Sequence, residues 1–123
     1  MDASVEAFLT LGAGPHRHLK DVDPDVVDRL RRMATTTMSK HTAGEPDHVV
    51  PVRDTWERVG RIGVPVLAIN GAADSPDHLA MAERLAGAVP RGRSMLIDGT
   101  AHYPNMERPD LFTKALEHFL HTL

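Results

Sequence analysis

The chain contains no cysteine, which removes a disulfide framework, a thiol nucleophile and any cysteine-ligated zinc site from consideration. Aromatic residues are scarce, with three Phe, one Tyr and one Trp in 123 residues, and the formal net charge is -3. A nucleic-acid surface needs a basic face and stacking rings, so that function class is excluded. Long apolar runs are missing too. The longest, Val64–Ile69, falls far short of the roughly 20 residues that span a bilayer. The first residues, Met1-Asp2-Ala3-Ser4-Val5-Glu6, open with an acid and carry no basic stretch, so no signal peptide is expected and a cytoplasmic location is the expectation. The length accommodates one domain with a modest core.

Helical patterning fills the first third. Val5, Phe8 and Leu9 fall at i, i+3 and i+4, predicting a short helix over 4–11 that Gly12-Ala13-Gly14-Pro15 ends. A polar loop with His16, Arg17 and His18 follows. Asp23-Pro24-Asp25 combines an N-cap acid, a first-turn proline and a second acid at the positive helix end, and predicts a helix through about Met38. Residues 39–51 are polar and read as a linker. A short helix over Arg53–Arg61, holding Trp56, leads into the second half. Trp56, Met33 and Met38 read as core or packing residues.

Two short loops carry the chemistry. Gly71-Ala72-Ala73-Asp74 follows the apolar run Val64–Ile69, and Gly99-Thr100-Ala101-His102 follows a strand expected at Arg93–Ile97. Between them Ser75-Pro76 caps a helix striped by Leu79, Ala82, Leu85 and Ala86. Arg108-Pro109-Asp110 opens a last helix with Phe112, Ala115, Leu116, Phe119, Leu120 and Leu123 on one face. The order strand, acidic loop, helix, strand, histidine loop is a βαβ unit, whose strands lie parallel and adjacent. With neighbouring strands roughly 4.8 Å apart, both loops leave the same sheet edge. Asp74 and His102 are expected within hydrogen-bond reach there.

The stretches Gly71-Ala-Ala-Asp74-Ser-Pro-Asp-His and Gly99-Thr-Ala-His102-Tyr-Pro-Asn-Met-Glu-Arg-Pro-Asp resemble the C-terminal part of the α/β-hydrolase superfamily. The resemblance is to its small-cap esterase and lactonase group, which includes the 3-oxoadipate enol-lactonases. It extends over about residues 50–121. It implies a partial α/β-hydrolase fold: two C-terminal parallel strands with flanking helices over 51–123, and a helical cap-like segment and linker over 1–50. It also implies that Asp74 is the acid and His102 the general base of a Ser-His-Asp triad, in the acid-before-histidine order of that fold. No metal or organic cofactor is implied.

One part of the family pattern is missing. The nucleophile elbow, Gly-x-Ser-x-Gly, places a serine on a strained strand-to-helix turn. None of the four serines here (Ser4, Ser39, Ser75, Ser94) has glycines two residues away on both sides. Ser75 reads as a helix cap. Asp77 and Asp98 are rival acids, the first suited to a helix N-terminus and the second to a solvated strand end. Among eight histidines, His16-x-His18 and His118-x-x-His121 are chelating pairs by spacing, but neither has a third ligand nearby in sequence, so no specific zinc site is expected.

Two functions follow. The first is hydrolysis of an ester, lactone or related acyl substrate, in an intact member of the family. The second is a truncated or split chain, inactive alone, acting if at all through association. Val64–Ile69 is apolar at nearly every position, the pattern of a strand covered on both faces of a parallel sheet. The expected partners are therefore a small acyl substrate, a second copy or a complementary N-terminal fragment, and neither nucleic acid nor membrane.

Overall fold

The computed structural model describes residues 2–123. Six helices and two strands alternate as α1 (Asp2–Ala13), α2 (Pro24–Met38), α3 (Thr55–Val59), β1 (Val66–Gly71), α4 (Pro76–Ala88), β2 (Gly92–Ile97), α5 (Pro104–Glu107) and α6 (Pro109–His121), with one turn of 3-10 helix at Leu19–Asp21. Among the described residues the sheet has two strands. They are parallel, in a register that pairs Val66 with Gly92 and Gly71 with Ile97.

Proline sets where β1 starts. Pairing begins with the Val66 N–H donating to Arg91 O at 3.1 Å, because Pro65 has no N–H to give. Val64, expected inside the strand, stays outside the ladder and 63% exposed. The strand instead runs on to Gly71, two residues beyond the expected end at Ile69. Helix α3 is shorter than the expected 53–61, since Asp54 before it adopts φ +54 and interrupts the helical backbone. Helix α1 is longer, running to Ala13 before Gly14 turns the chain at φ +92. Helix α2 is as expected. The Asp23 carboxylate accepts the Asp25 N–H at 2.8 Å, and Pro24 occupies the first turn.

The core has two parts. Val5, Leu9, Leu30 and Ala34 pack between α1 and α2, and Phe8, Met38, Tyr103 and Met106 close over them. Met33, by contrast, is 48% exposed. The N-terminal helices therefore rest on the segment that follows His102. Around the sheet the packing is thinner. Ala86, Val89, Ile97, Ala115 and Phe119 are buried, yet Met95 and Leu96 of β2 and Leu116 and Leu120 of α6 remain exposed.

Three separate chain segments converge at the carboxyl edge of the strands. The loop after β2 crosses so close to β1 that a Cβ on Gly71 would lie 2.1 Å from Ala101 O. Glycine is required there for space. A Cβ on Gly14 would likewise lie 2.2 Å from Ala73 O, so the chain leaving α1 threads over both loops. Main-chain bonds fix the contact: Ala73 N–H to Thr100 O at 2.9 Å, and His102 N–H to Gly12 O at 3.3 Å.

Candidate functional site

Asp74 stands between β1 and α4. Its own N–H closes a turn on Gly71 O at 3.1 Å, and its Oδ1 accepts the Ser75 N–H at 2.7 Å. The side chain is 3% exposed. His102 is carried by the loop after β2. Within that loop the Thr100 hydroxyl donates to Ile97 O at 2.8 Å, and the Ala101 N–H donates to Glu107 Oε1 at 2.9 Å.

The two side chains meet. His102 Nδ1 lies 3.0 Å from Asp74 Oδ2. A carboxylate there accepts, so Nδ1 carries the ring proton and Nε2 keeps a free lone pair. Tyr103 packs edge-on to the imidazole, with ring centroids 5.2 Å apart and planes at 86°. Burial alone pushes the Asp74 carboxyl up. The hydrogen bonds from the Ser75 N–H, His102 and His78 more than offset this and hold it below the ordinary aspartate value.

His78 was not among the sequence candidates. It projects from the first turn of α4, four residues after Asp74, and its Nδ1 lies 3.3 Å from Asp74 Oδ1. Its ring stacks at a tilt on His102, with centroids 4.6 Å apart. The signal was an Asp-x-x-x-His spacing across a helix start, which places both side chains on one face. Glu107 was also missed. It grips the histidine loop through Ala101 and pairs with Arg17 Nη2 at 2.5 Å, the two side chains being 9% and 15% exposed. A contact spanning ninety residues leaves no local pattern.

The remaining candidates lie elsewhere or do other work. The Ser75 hydroxyl caps α4, accepting the His78 N–H at 3.4 Å, and sits 2.9 Å from His78 Nδ1. That nitrogen is the one facing Asp74, whereas a relay needs acid and nucleophile on opposite ring nitrogens. Asp77 and Asp98 are exposed. His16, His18, His118 and His121 are exposed as well, and His121 Nδ1 donates to Glu117 O at 2.7 Å at the end of α6. Among the described residues, the cluster able to hold a metal is Asp74, His78 and His102, with one ligand atom from each lying within 4.8 Å of the others.

A cavity of about 430 Å³ opens beside this cluster, lined by Trp56, Ala68, Asn70, Met81 and both histidines. Its walls are mostly apolar, with a few polar groups that include the Asp74–histidine cluster, a composition suited to a small-molecule site. Arg84 lies over the Trp56 ring at 3.9 Å and holds one wall in place.

Known proteins share this arrangement of elements. The chain superposes on the structure described as Est816, an N-acyl homoserine lactone degrading enzyme, with a TM-score of 0.69 at 22% identity. The match covers 94% of this chain and 47% of that one. The fold is a partial α/β-hydrolase fold. A Haemophilus influenzae protein whose name places it among the esterases and lipases is 31% identical over 65 residues, 53% of this chain and 22% of the relative. The chain thus spans about half the length of the enzyme it superposes on, and its match covers less than a quarter of the curated relative. No family profile matches it. Within the partial α/β-hydrolase fold, no helix among the described residues is long and apolar enough to cross a membrane.

Proposed function

We propose that this chain supplies the acid and the general base of an α/β-hydrolase-type esterase or lactonase, with Asp74 orienting His102. The observation that carries the reading is the 3.0 Å contact between His102 Nδ1 and a buried Asp74 oxygen. That contact fixes the tautomer whose Nε2 lone pair takes a proton from a serine hydroxyl and returns it to the departing alkoxide. The carboxylate stabilises the imidazolium formed in between. The names of the lactone-degrading and esterase/lipase relatives support an ester, lactone or related acyl substrate. The mostly apolar cavity would take its acyl portion.

No serine stands in a Gly-x-Ser-x-Gly turn, and Ser75 contacts the wrong histidine nitrogen for a relay. A second reading follows, in which the chain by itself does not turn over and joins a complementary strand-bearing segment. Residues 1–50 then serve as the cap and 51–123 as the C-terminal part of the core. The exposed Val64, Met95 and Leu96 beside the two-stranded sheet favour this.

The test is an activity screen with short-chain nitrophenyl esters and acyl lactones. It is run on the chain alone and on the chain joined to a strand–turn–helix segment bearing Gly-x-Ser-x-Gly. The chain alone should neither hydrolyse them nor label with a fluorophosphonate. The joined protein should hydrolyse them, and His102→Ala should cost it several orders of magnitude in kcat. Activity of the joined protein that is indifferent to His102→Ala and Asp74→Asn would refute the assignment.

A further inference from the structure

We propose that Asp74, His78 and His102 form a binding site for a first-row divalent metal ion of the zinc type, and that the ion competes with the acid–base role of His102. The relay of the preceding section needs one histidine on Asp74. The structure has two, on different oxygens of the same carboxylate, at 3.0 and 3.3 Å. Ligands at about 2.0–2.1 Å around a tetrahedral zinc ion stand roughly 3.3 Å apart. The two contacts run to different carboxylate oxygens, and one donor atom from each of the three residues lies within 4.8 Å of the others, so a modest contraction of the cluster reaches that spacing. The two rings are about one-third exposed, which leaves them room to turn toward a shared ion.

The donor set, two imidazoles and one carboxylate, suits zinc, cobalt, nickel and copper better than calcium or magnesium, which prefer oxygen. The support around it is built in. The Ser75 N–H holds one carboxylate oxygen at 2.7 Å, and the main chain of His102 is tied to Gly12 O. Such outer contacts fix the orientation of ligands. All three residues line the 430 Å³ cavity, so an ion held by them would be open to water or a small anion from that side.

Binding changes the chemistry of His102. Its Nδ1 gives its lone pair to the ion, and the ring proton moves to Nε2. No bond beyond the metal–ligand bonds forms, and no electron is transferred. The nitrogen that would accept a serine proton is then already protonated, so the metal-loaded state has no base.

Zinc chloride titrated calorimetrically into the purified chain, with nitrogen-15 spectra of the histidine rings, tests the site without any activity assay. A single equivalent should bind, moving the Nδ1 resonances of His78 and His102 while those of His118 and His121 stay in place. His78→Ala and Asp74→Asn should each weaken binding by at least the roughly 10–100-fold that follows loss of an outer-shell partner. The double substitution His118→Ala/His121→Ala should leave it unchanged. Cobalt chloride should give the intense visible absorption of a four-coordinate ion. Circular dichroism of each variant establishes that it is folded, and His78→Gln supplies a second probe if His78→Ala unfolds. Binding that survives loss of His78 in a folded variant, or that disappears with the His118/His121 pair, would overturn the proposal. So would the absence of any single-equivalent site.

Discussion

Glu107 holds two groups at once, the Ala101 N–H and the Arg17 guanidinium, and its removal is the sharpest test of how the histidine loop is built. Its Oε1 accepts the N–H of Ala101, a residue with 0% exposure, and its Oε2 pairs with Arg17. In Glu107→Ala the Ala101 N–H loses its partner, at a cost of about 1–3 kcal/mol. Removing one member of a buried ion pair costs about 3–5 kcal/mol. Arg17, at 15% side-chain exposure, recovers part of that by reaching water, so a combined loss of about 3–5 kcal/mol is expected. Domains of this size have roughly 5–15 kcal/mol in total, and Glu107→Ala should therefore be close to unfolding. With a urea slope of about 2 kcal/mol per molar, the midpoint should fall by about 2 M. Glu107→Gln keeps a carbonyl acceptor for Ala101 and loses only the charge, so its midpoint should lie between those of Glu107→Ala and the unaltered chain. Pairing Glu107→Gln with Arg17→Met should recover stability, because no unpaired guanidinium is then left under the loop. A Glu107→Ala midpoint within about 0.5 M of the unaltered chain, equivalent to about 1 kcal/mol, would show that the loop stands without this clamp.

Three further outcomes are expected. Gly71→Ala forces a Cβ to within 2.1 Å of Ala101 O; since the clash is with backbone, destabilisation should exceed the roughly 1–3 kcal/mol typical of overpacking, measurable as a lowered thermal midpoint. The Asp74 carboxyl is held below its ordinary value in the fold, so its stabilising contribution is fully present above about pH 4, the ordinary aspartate value, and is lost as pH falls through the lowered folded value. Urea midpoints between pH 5 and pH 2 should fall less steeply in Asp74→Asn than in the unaltered chain, and equal slopes would refute this. The chain by itself should self-associate or bind a dye specific for apolar surface, because Val64, Met95 and Leu96 are 63%, 42% and 58% exposed beside a two-stranded sheet. A monodisperse monomer by light scattering at high concentration, without dye binding, would count against that expectation.

The βαβ unit was legible because local rules agreed. Ser75-Pro76 marked the start of α4, the apolar runs marked both strands, and a parallel crossover places their following loops on one edge, where Asp74 and His102 meet. Boundaries shifted where a single backbone property prevailed over side-chain pattern. Pro65 delayed β1, and the left-handed Asp54 shortened α3. Helix α5 was missed because four residues carry no periodicity; only the proline at its start marks it. His78 escaped notice because its partner precedes the helix, and a scan for histidine pairs does not weigh a carboxylate in the turn before. Glu107 and Arg17 could not have been paired from sequence, since nothing local to either requires the other.

The crossing of the α1 exit over both loops ties the position of the imidazole to a distant event. The His102 amide donates to Gly12 O, and Arg17 just beyond reaches Glu107, which in turn holds Ala101. Undocking the first two helices therefore frees the His102 N–H from Gly12 and Glu107 from Arg17 at once, leaving the Ala101–Glu107 bond as the loop's remaining tie. Whatever free energy favours docking of α1 and α2 also favours the ordered histidine, and the reverse holds with equal magnitude. The helical segment thereby acts as a thermodynamic latch on the loop, and a ligand that draws the two helices down would sharpen the imidazole's placement without touching it.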